Sequence, residues 1–113
     1  MTMSAADRVY EMRTYYSLEG RLPNLLARFK DHTTKLFEKH GMTNVGYWVP
    51  KDKPNTLIYL LSFPSADAAK ASWDAFRKDP VWVAARDASE KSGKIVEKVE
   101  SVYMSPTDFS KLK

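Results

Sequence analysis

Thr56-Leu57-Ile58-Tyr59-Leu60-Leu61-Ser62-Phe63 is the stretch on which the fold turns. From Leu57 to Leu61 it is apolar at every position. A strand with one wet face alternates apolar and polar residues, so an unbroken run of this length reads as a strand covered on both faces. A small sheet carries its helices on one face only. In a chain of 113 residues, with helix enough for a single layer, the cover implied for the other face is a second copy of the chain.

Working upstream, Pro50-Lys51-Asp52-Lys53-Pro54-Asn55 has hairpin-loop composition and joins this strand antiparallel to another at Asn44 to Val49. From Arg8 to Tyr16 the residues are largely β-branched and aromatic. Alternation sets Tyr10, Met12, Thr14 and Tyr16 on one face and Val9, Glu11, Arg13 and Tyr15 on the other. The charged face either turns to water or lets Glu11 and Arg13 neutralise each other in a pocket, and the sequence leaves both open. Between these strands, Arg21 to His40 repeats at helical spacing through Leu22, Leu25, Leu26, Phe29, Leu36 and Phe37, with Arg28, Asp31, Lys35, Glu38 and Lys39 on the far side. His32 falls at the edge of the apolar stripe and His40 near its middle, so neither is expected to face bulk solvent. Gly41 is suited to the left-handed conformation that ends helices.

Downstream, Ser65 can cap a helix whose inward stripe is Ala66, Ala69, Trp73 and Phe76. Asp79-Pro80 has the cap-then-proline pattern that opens a further short helix through Glu90. Lys94 to Met104 alternates again, with Val96, Val102 and Met104 on one face and Ile95, Val99 and Tyr103 on the other. Residues 1–7 read as a disordered N-terminal tail and residues 105–113, with Pro106 and Phe109, as a docking C-terminal tail of a single domain over 8–113. The order of elements predicts an α+β, ferredoxin-like βαββαβ fold: a four-stranded antiparallel sheet with helices on one face.

Composition excludes several function classes. No apolar run approaches the roughly 20 residues of a membrane span, mean hydropathy is −0.48, and no secretory signal opens the chain, so a cytoplasmic protein without membrane insertion is expected. The absence of cysteine removes disulfides, thiolate zinc sites, Fe–S clusters and cysteine nucleophiles. The net charge of +4 is interspersed with Asp and Glu rather than gathered in a stripe, which argues against nucleic acid as a partner. Gly-rich phosphate loops, nucleophile elbows and HExxH are missing.

The remaining candidates are aromatic, cationic and imidazole side chains. His32 and His40 lie about 12 Å apart along a continuous helix, too far to share one ion, and no metal site is predicted. His32 suits a general base, a haem ligand or a hydrogen-bonding group in a cavity, against the plainer reading of a helix-edge histidine satisfied by a carbonyl. His40, in a last helical turn, suits the helix dipole as readily as a ligand. Trp48, Trp73 and Trp82 with Tyr10, Tyr16, Tyr47 and Tyr59 can line a site for a flat or apolar ligand, or make a core and a dimer interface. Arg13 among aromatics and Arg77 near a helix end can each hold a carboxylate or oxyanion, or pair with Glu or Asp.

Particular strings then matter together: Val9-Tyr10-Glu11-Met12-Arg13-Thr14-Tyr15, Arg28-Phe29 through His32, His40-Gly41-Met42, Gly46-Tyr47-Trp48, Ser72-Trp73 with Phe76, Asp79-Pro80-Val81-Trp82, and Pro106-Thr107-Asp108-Phe109-Ser110. In this order they resemble the NIPSNAP family over nearly everything after residue 7. The resemblance implies a dimeric α/β barrel, two ferredoxin-like sheets packed face to face, in a small bacterial-type member. Its recurrent positions correspond here to Tyr10, Glu11, Arg13, His32, His40, Gly41, Tyr47, Trp48, Trp73, Asp79, Pro80 and Trp82. The wider barrel superfamily includes cofactor-free monooxygenases and haem-binding enzymes, an analogy of fold alone.

Three functions follow as expectations. One is a homodimer binding a small, partly aromatic or apolar molecule between sheet and helices, as a cofactor-free, oxygenase-like enzyme with His32 as proton carrier and Arg13 holding an oxyanion. Tyr10, Glu11, His40, Tyr47, Trp48, Trp73, Arg77 and Trp82 would then shape the ligand site. Another is a non-catalytic homodimeric binding or interaction module. The third is haem binding through His32 or His40.

Overall fold

Tyr59 sits at the middle of the sheet with none of its surface exposed. The computed structural model describes residues 8–113; the tail expected over residues 1–7 lies outside the described residues. The elements run β1 (Val9–Ser17), α1 (Leu22–Arg28), a π-helical turn (Phe29–Thr33), α2 (Thr34–Lys39), β2 (Thr43–Trp48), β3 (Thr56–Phe63), α3 (Ala66–Lys78), α4 (Pro80–Ser89) and β4 (Val96–Met104). The strands form one sheet in the order β2-β3-β1-β4, every pair antiparallel. This is the ferredoxin-like α+β fold that the order of elements predicts.

One face of β3 presents Leu57, Tyr59, Leu61 and Phe63 to the helices, where they pack with Leu25, Phe29, Phe37, Trp73 and Phe76. Much of this core is aromatic: Tyr59 stacks on Tyr47 with centroids 5.0 Å apart and meets Phe29 at 5.1 Å. Such pairs contribute about 0.5–1.5 kcal/mol each beyond their burial. The opposite face of β3, Ile58 and Leu60, is only partly covered. Register places Met12 beside both Leu60 and Val102, and Trp48 beside Ile58. Met12, Trp48, Val102 and Met104 are exposed on this side, so the two-sided apolar pattern of β3 reflects a helix-covered face and an open apolar one.

The helix expected to run unbroken from Arg21 to His40 is interrupted. At the π-helical turn the Thr34 N–H donates to the carbonyl of Phe29, five residues back. This widened turn sets the later residues back in phase. His32, placed at the edge of the apolar stripe, lies in this turn and is exposed. Arg28, placed on the far side, precedes the turn and is buried at 6% exposure because α4 packs against that flank of α1 through Trp82 and Ser89. Leu26 and Ala66, both assigned to inward stripes, are exposed as well. Beyond the π turn the helix ends as expected: Gly41 takes φ +82°, and the N–H groups of Gly41 and Met42 donate to the carbonyls of Glu38 and Phe37, the Schellman pattern.

Two register shifts decide which side chains face the core. Between Asn44 and Gly46, Val45 is an extra residue in β2, so Asn44 and Tyr47 both face the helices while Gly46 and Trp48 face the open side. A second shift at Tyr16/Ser17 pairs Ser17 with Val96. Val96 therefore packs against the core rather than joining Val102 and Met104, as unbroken alternation had it.

Candidate functional site

Alternation along β1 carries Glu11, Arg13 and Tyr15 to the helix side, which settles the choice the sequence left open: the two charges are drawn inside and neutralise each other. Arg13 Nη1 donates to Glu11 Oε2 at 2.9 Å, and Glu11 is 1% exposed. The second Glu11 oxygen accepts from Trp73 Nε1 on α3 at 2.7 Å, and Ser101 Oγ on β4 donates to Oε2 at 2.6 Å. Arg13 further donates from Nε to the Tyr59 hydroxyl at 2.9 Å and from Nη2 to the Tyr15 hydroxyl at 3.3 Å. Its guanidinium carbon lies 4.3 Å from the Trp73 ring centroid, a close cation–π contact. Burial opposes the Arg13 charge, but Tyr15, Tyr59 and Glu11 outweigh it and the guanidinium pKa is raised. Burial, reinforced by Tyr15, pushes the Tyr59 phenol well above its ordinary value, although Arg13 acts in the opposite direction.

Outside this network, α3 and β4 border a cleft of about 350 Å³ walled by Trp73, Arg77, Lys70, Asp74 and Tyr103. Arg77 also approaches the Trp73 ring, at 5.3 Å, while Asp74 lies within 3.8 Å of Arg77 and 3.7 Å of Lys70. The cleft is thus bordered by two cations and one carboxylate, a net positive rim beside the aromatic Trp73 and Tyr103. Tyr103 is half exposed beside it; burial and then Glu11 raise its phenol pKa.

The other predicted site residues are dispersed. His40 Nε2 is 2.7 Å from Asp79 Oδ2, which also accepts from Lys39 Nζ at 2.8 Å; Asp79 Oδ1 caps α4 by accepting from the Val81 N–H at 2.8 Å. Lys39, His40 and the Val81 N–H together hold the Asp79 carboxyl well below the usual carboxylate range. Tyr47 is a core residue whose hydroxyl donates to Asn44 Oδ1 across the β2 bulge, and burial raises its phenol pKa. Trp82 packs on Phe76 with centroids 4.7 Å apart. Trp48 lies on the open face, with its indole folded over Gly46. Tyr10, 6% exposed, shares a cleft of about 280 Å³ with Leu60, Met104 and the C-terminal residues Pro106, Ser110 and Leu112. Phe109 in that same C-terminal segment is 84% exposed.

His32 and Arg13, expected to act on one substrate, share neither a cleft nor a contact. His32 borders a separate cleft of about 290 Å³ between α1 and α4, together with Arg28, Asp31 and Ser89. Among the described residues, no three of His, Asp and Glu gather to hold a metal ion, and no helix is long and apolar enough to cross a membrane.

Of the ten candidate residues, the structure brings together Glu11, Arg13, Trp73 and Arg77, and it adds neighbours that were not among the candidates. Tyr15 was readable, since it alternates in step with Glu11 and Arg13. Ser101 and Tyr103 depend on the β1–β4 register, which pairs Arg13 with Ser101 and Glu11 with Tyr103, and no local pattern encodes that pairing. Arg28 depends on the packing of α4 over α1, which no local pattern encodes.

Comparison with known proteins agrees with this fold. The sequence profile of the NIPSNAP family matches residues 10–111. A NIPSNAP family protein of unknown function from Agrobacterium tumefaciens superposes with a TM-score of 0.83 at 24% identity, covering 100% of both chains. An uncharacterized NIPSNAP domain protein from Burkholderia xenovorans superposes at 0.78 with 22% identity, over 90% of this chain and 97% of that one. A putative antibiotic biosynthesis monooxygenase from Chloroflexus aurantiacus shares the fold at a TM-score of 0.62 and 13% identity, over 95% of this chain and 100% of that one. None of the curated proteins matches the sequence. With a family profile spanning β1 to the C-terminal segment and the same fold in bacterial members, this chain belongs to the NIPSNAP family.

Proposed function

We propose that this protein is a homodimer that binds a small, flat, partly aromatic molecule in the cleft between α3 and β4. The observation that carries the reading is the pinned indole of Trp73. Glu11 holds its N–H and Arg13 lies over its ring, so an aromatic wall is set in place before any ligand arrives. Tyr103 supplies a second, accessible aromatic surface at the same cleft. Preformed pockets with aromatic walls and few polar groups suit flat ligands.

The arrangement favours binding over turnover. Glu11 accepts three hydrogen bonds, and Arg13 is engaged by Glu11, Tyr15 and Tyr59, which leaves the pair occupied with each other rather than poised toward a substrate. Haem fares no better: the Nε2 of His40 is taken by Asp79, and the cleft beside His32 is at the small end of the range for ligand pockets. For the dimer, the support is the contiguous open face of Met12, Leu60, Val102, Ile58 and Trp48, since exposed apolar patches of this kind mark interfaces.

The test is a titration with 2-naphthol followed through the tryptophan indole N–H resonances. A saturable shift of the Trp73 resonance, weakened in Tyr103→Ala, is expected. Movement of the Trp48 resonance alone would place the probe on the open sheet face and sink the reading. Sedimentation equilibrium should give twice the 12.9 kDa chain mass, with Val102→Glu reverting to the monomer; a monomeric parent protein removes the dimer.

A further inference from the structure

Arg28 is a strongly buried cation whose surroundings the α3–β4 cleft does not explain. It is 6% exposed and lies 5.3 Å from the Trp82 ring centroid. Its Nη1 donates to Ser89 Oγ at 3.2 Å, while Nε is buried without any hydrogen-bond partner. Among the described residues it forms no ion pair, in contrast to Arg13, which faces Glu11. A guanidinium has five donors and no acceptor, and a charge taken out of water is stable only when paired and hydrogen-bonded. One neutral hydroxyl, one aromatic face and the charge of Glu90 beyond ion-pair distance leave this charge under-compensated.

The same side chain lines the cleft of about 290 Å³ between α1 and α4. The chemistry of the cleft is divided. Ala27, Ala85 and Ala88 supply its apolar lining, and Asn24, Arg28, Asp31, His32 and Ser89 its polar lining. Asp31 stands at the border, and its carboxylate would repel a doubly charged anion more than a singly charged one. The geometry points to a binding site for a small monocarboxylate with a flat apolar body, its carboxylate meeting the Arg28 guanidinium and its body lying against the alanines. Arginine and carboxylate match as planar forks, and ligand pockets typically combine such a polar anchor with an apolar wall. The site involves none of the residues of the α3–β4 cleft and stands or falls separately from it.

Benzoate is the probe, with benzyl alcohol as a neutral analogue of similar shape and inorganic phosphate as the doubly charged competitor. In a ¹⁵N–¹H titration of the intact chain, benzoate is expected to shift the amides of Ala27, Ala85 and Ala88 saturably. Arg28→Met should weaken it at least about tenfold, the loss typical of a hydrogen bond to a charged group. Because that variant also disturbs the Trp82 contact, Ala88→Phe serves as a second test: it leaves Arg28 intact, changes an exposed position and fills the cleft. It should abolish the shifts, while Arg77→Gln, in the other cleft, should leave them unchanged. Benzoate no tighter than benzyl alcohol, or equally tight in Ala88→Phe, would mean that water alone solvates Arg28 and would overturn the site. Displacement of benzoate by phosphate at equal concentration would overturn the preference for a single charge.

Discussion

The indole N–H of Trp73 donates to the carboxylate of Glu11 at 2.7 Å, across 62 residues of sequence. That bond ties α3 to the central strand β1 and, through Arg13, orients the ring that walls the cleft. It also makes Glu11 the acceptor on which a buried cation depends.

Glu11→Gln preserves the shape of the side chain and removes its charge, leaving Arg13 buried without a counter-ion. Breaking a buried pair from one side costs about 3 kcal/mol or more. Ser101→Ala removes a single donor to the same carboxylate and should cost about 1–2 kcal/mol. Urea unfolding should rank the two variants in that order. Equal losses, or a Glu11→Gln protein as stable as the parent, would show that the pair does not hold the cleft together.

Asp79 gives the fold an acid limit. Its carboxyl pKa is lowered from the ordinary 3.8, so the native state favours its charged form. The stability this contributes is fully present above the unfolded value and is lost as pH falls below about 4 toward the depressed native value. Asp79→Asn should flatten the acid limb of stability against pH between about 5 and 2. An acid limb identical in the two proteins would remove Asp79 as its origin.

The phenols of Tyr59 and Tyr47 set a limit at the opposite end. Both pKa values are raised above 10.0, chiefly by burial, so the native state favours the neutral form. Their contribution is fully present below pH 10 and declines as pH rises through and beyond it. Absorbance titration near 295 nm should show these two of the six tyrosines ionising only as the protein unfolds. Reversible ionisation of every tyrosine near pH 10 in folded protein would contradict their burial.

Gly46 is required less by the backbone than by its neighbour. A Cβ at this position would lie 2.5 Å from Cη2 of Trp48, so Gly46→Ala must move the indole. Because Trp48 is 55% exposed, its ring can swing outward and stability should change by less than about 1 kcal/mol. The near-ultraviolet dichroism of the indole should nevertheless change, and self-association through the open face should weaken. Unaltered association would show that Trp48 lies outside the interface.

Some of this organisation is local and some is not. Alternation in β1 placed Glu11, Arg13 and Tyr15 on one face because the strand period of two holds through that segment. In β4 the same rule failed at Val96, where a register shift opposite Tyr16/Ser17 changes the face. The Arg21–His40 pattern yielded a helix but not its exposure: a single i→i+5 turn leaves His32 outward, and α4, packed against α1, buries Arg28. A bulge or a π turn is stabilised by packing against other elements, so the residues that form it carry little signature of their own.

By itself the sequence determined the order of elements and their antiparallel ferredoxin-like arrangement, because periodicity, caps and turn residues act within a few positions along the chain; the family followed from the strings of residues that resemble its other members. Only the tertiary structure decided that Glu11 and Arg13 close on Trp73, Tyr59 and Ser101, that His40 belongs to Asp79, and that Arg28 rather than His32 is the buried group between α1 and α4. Those outcomes depend on strand register and helix phase, which long-range packing selects from alternatives of nearly equal local energy.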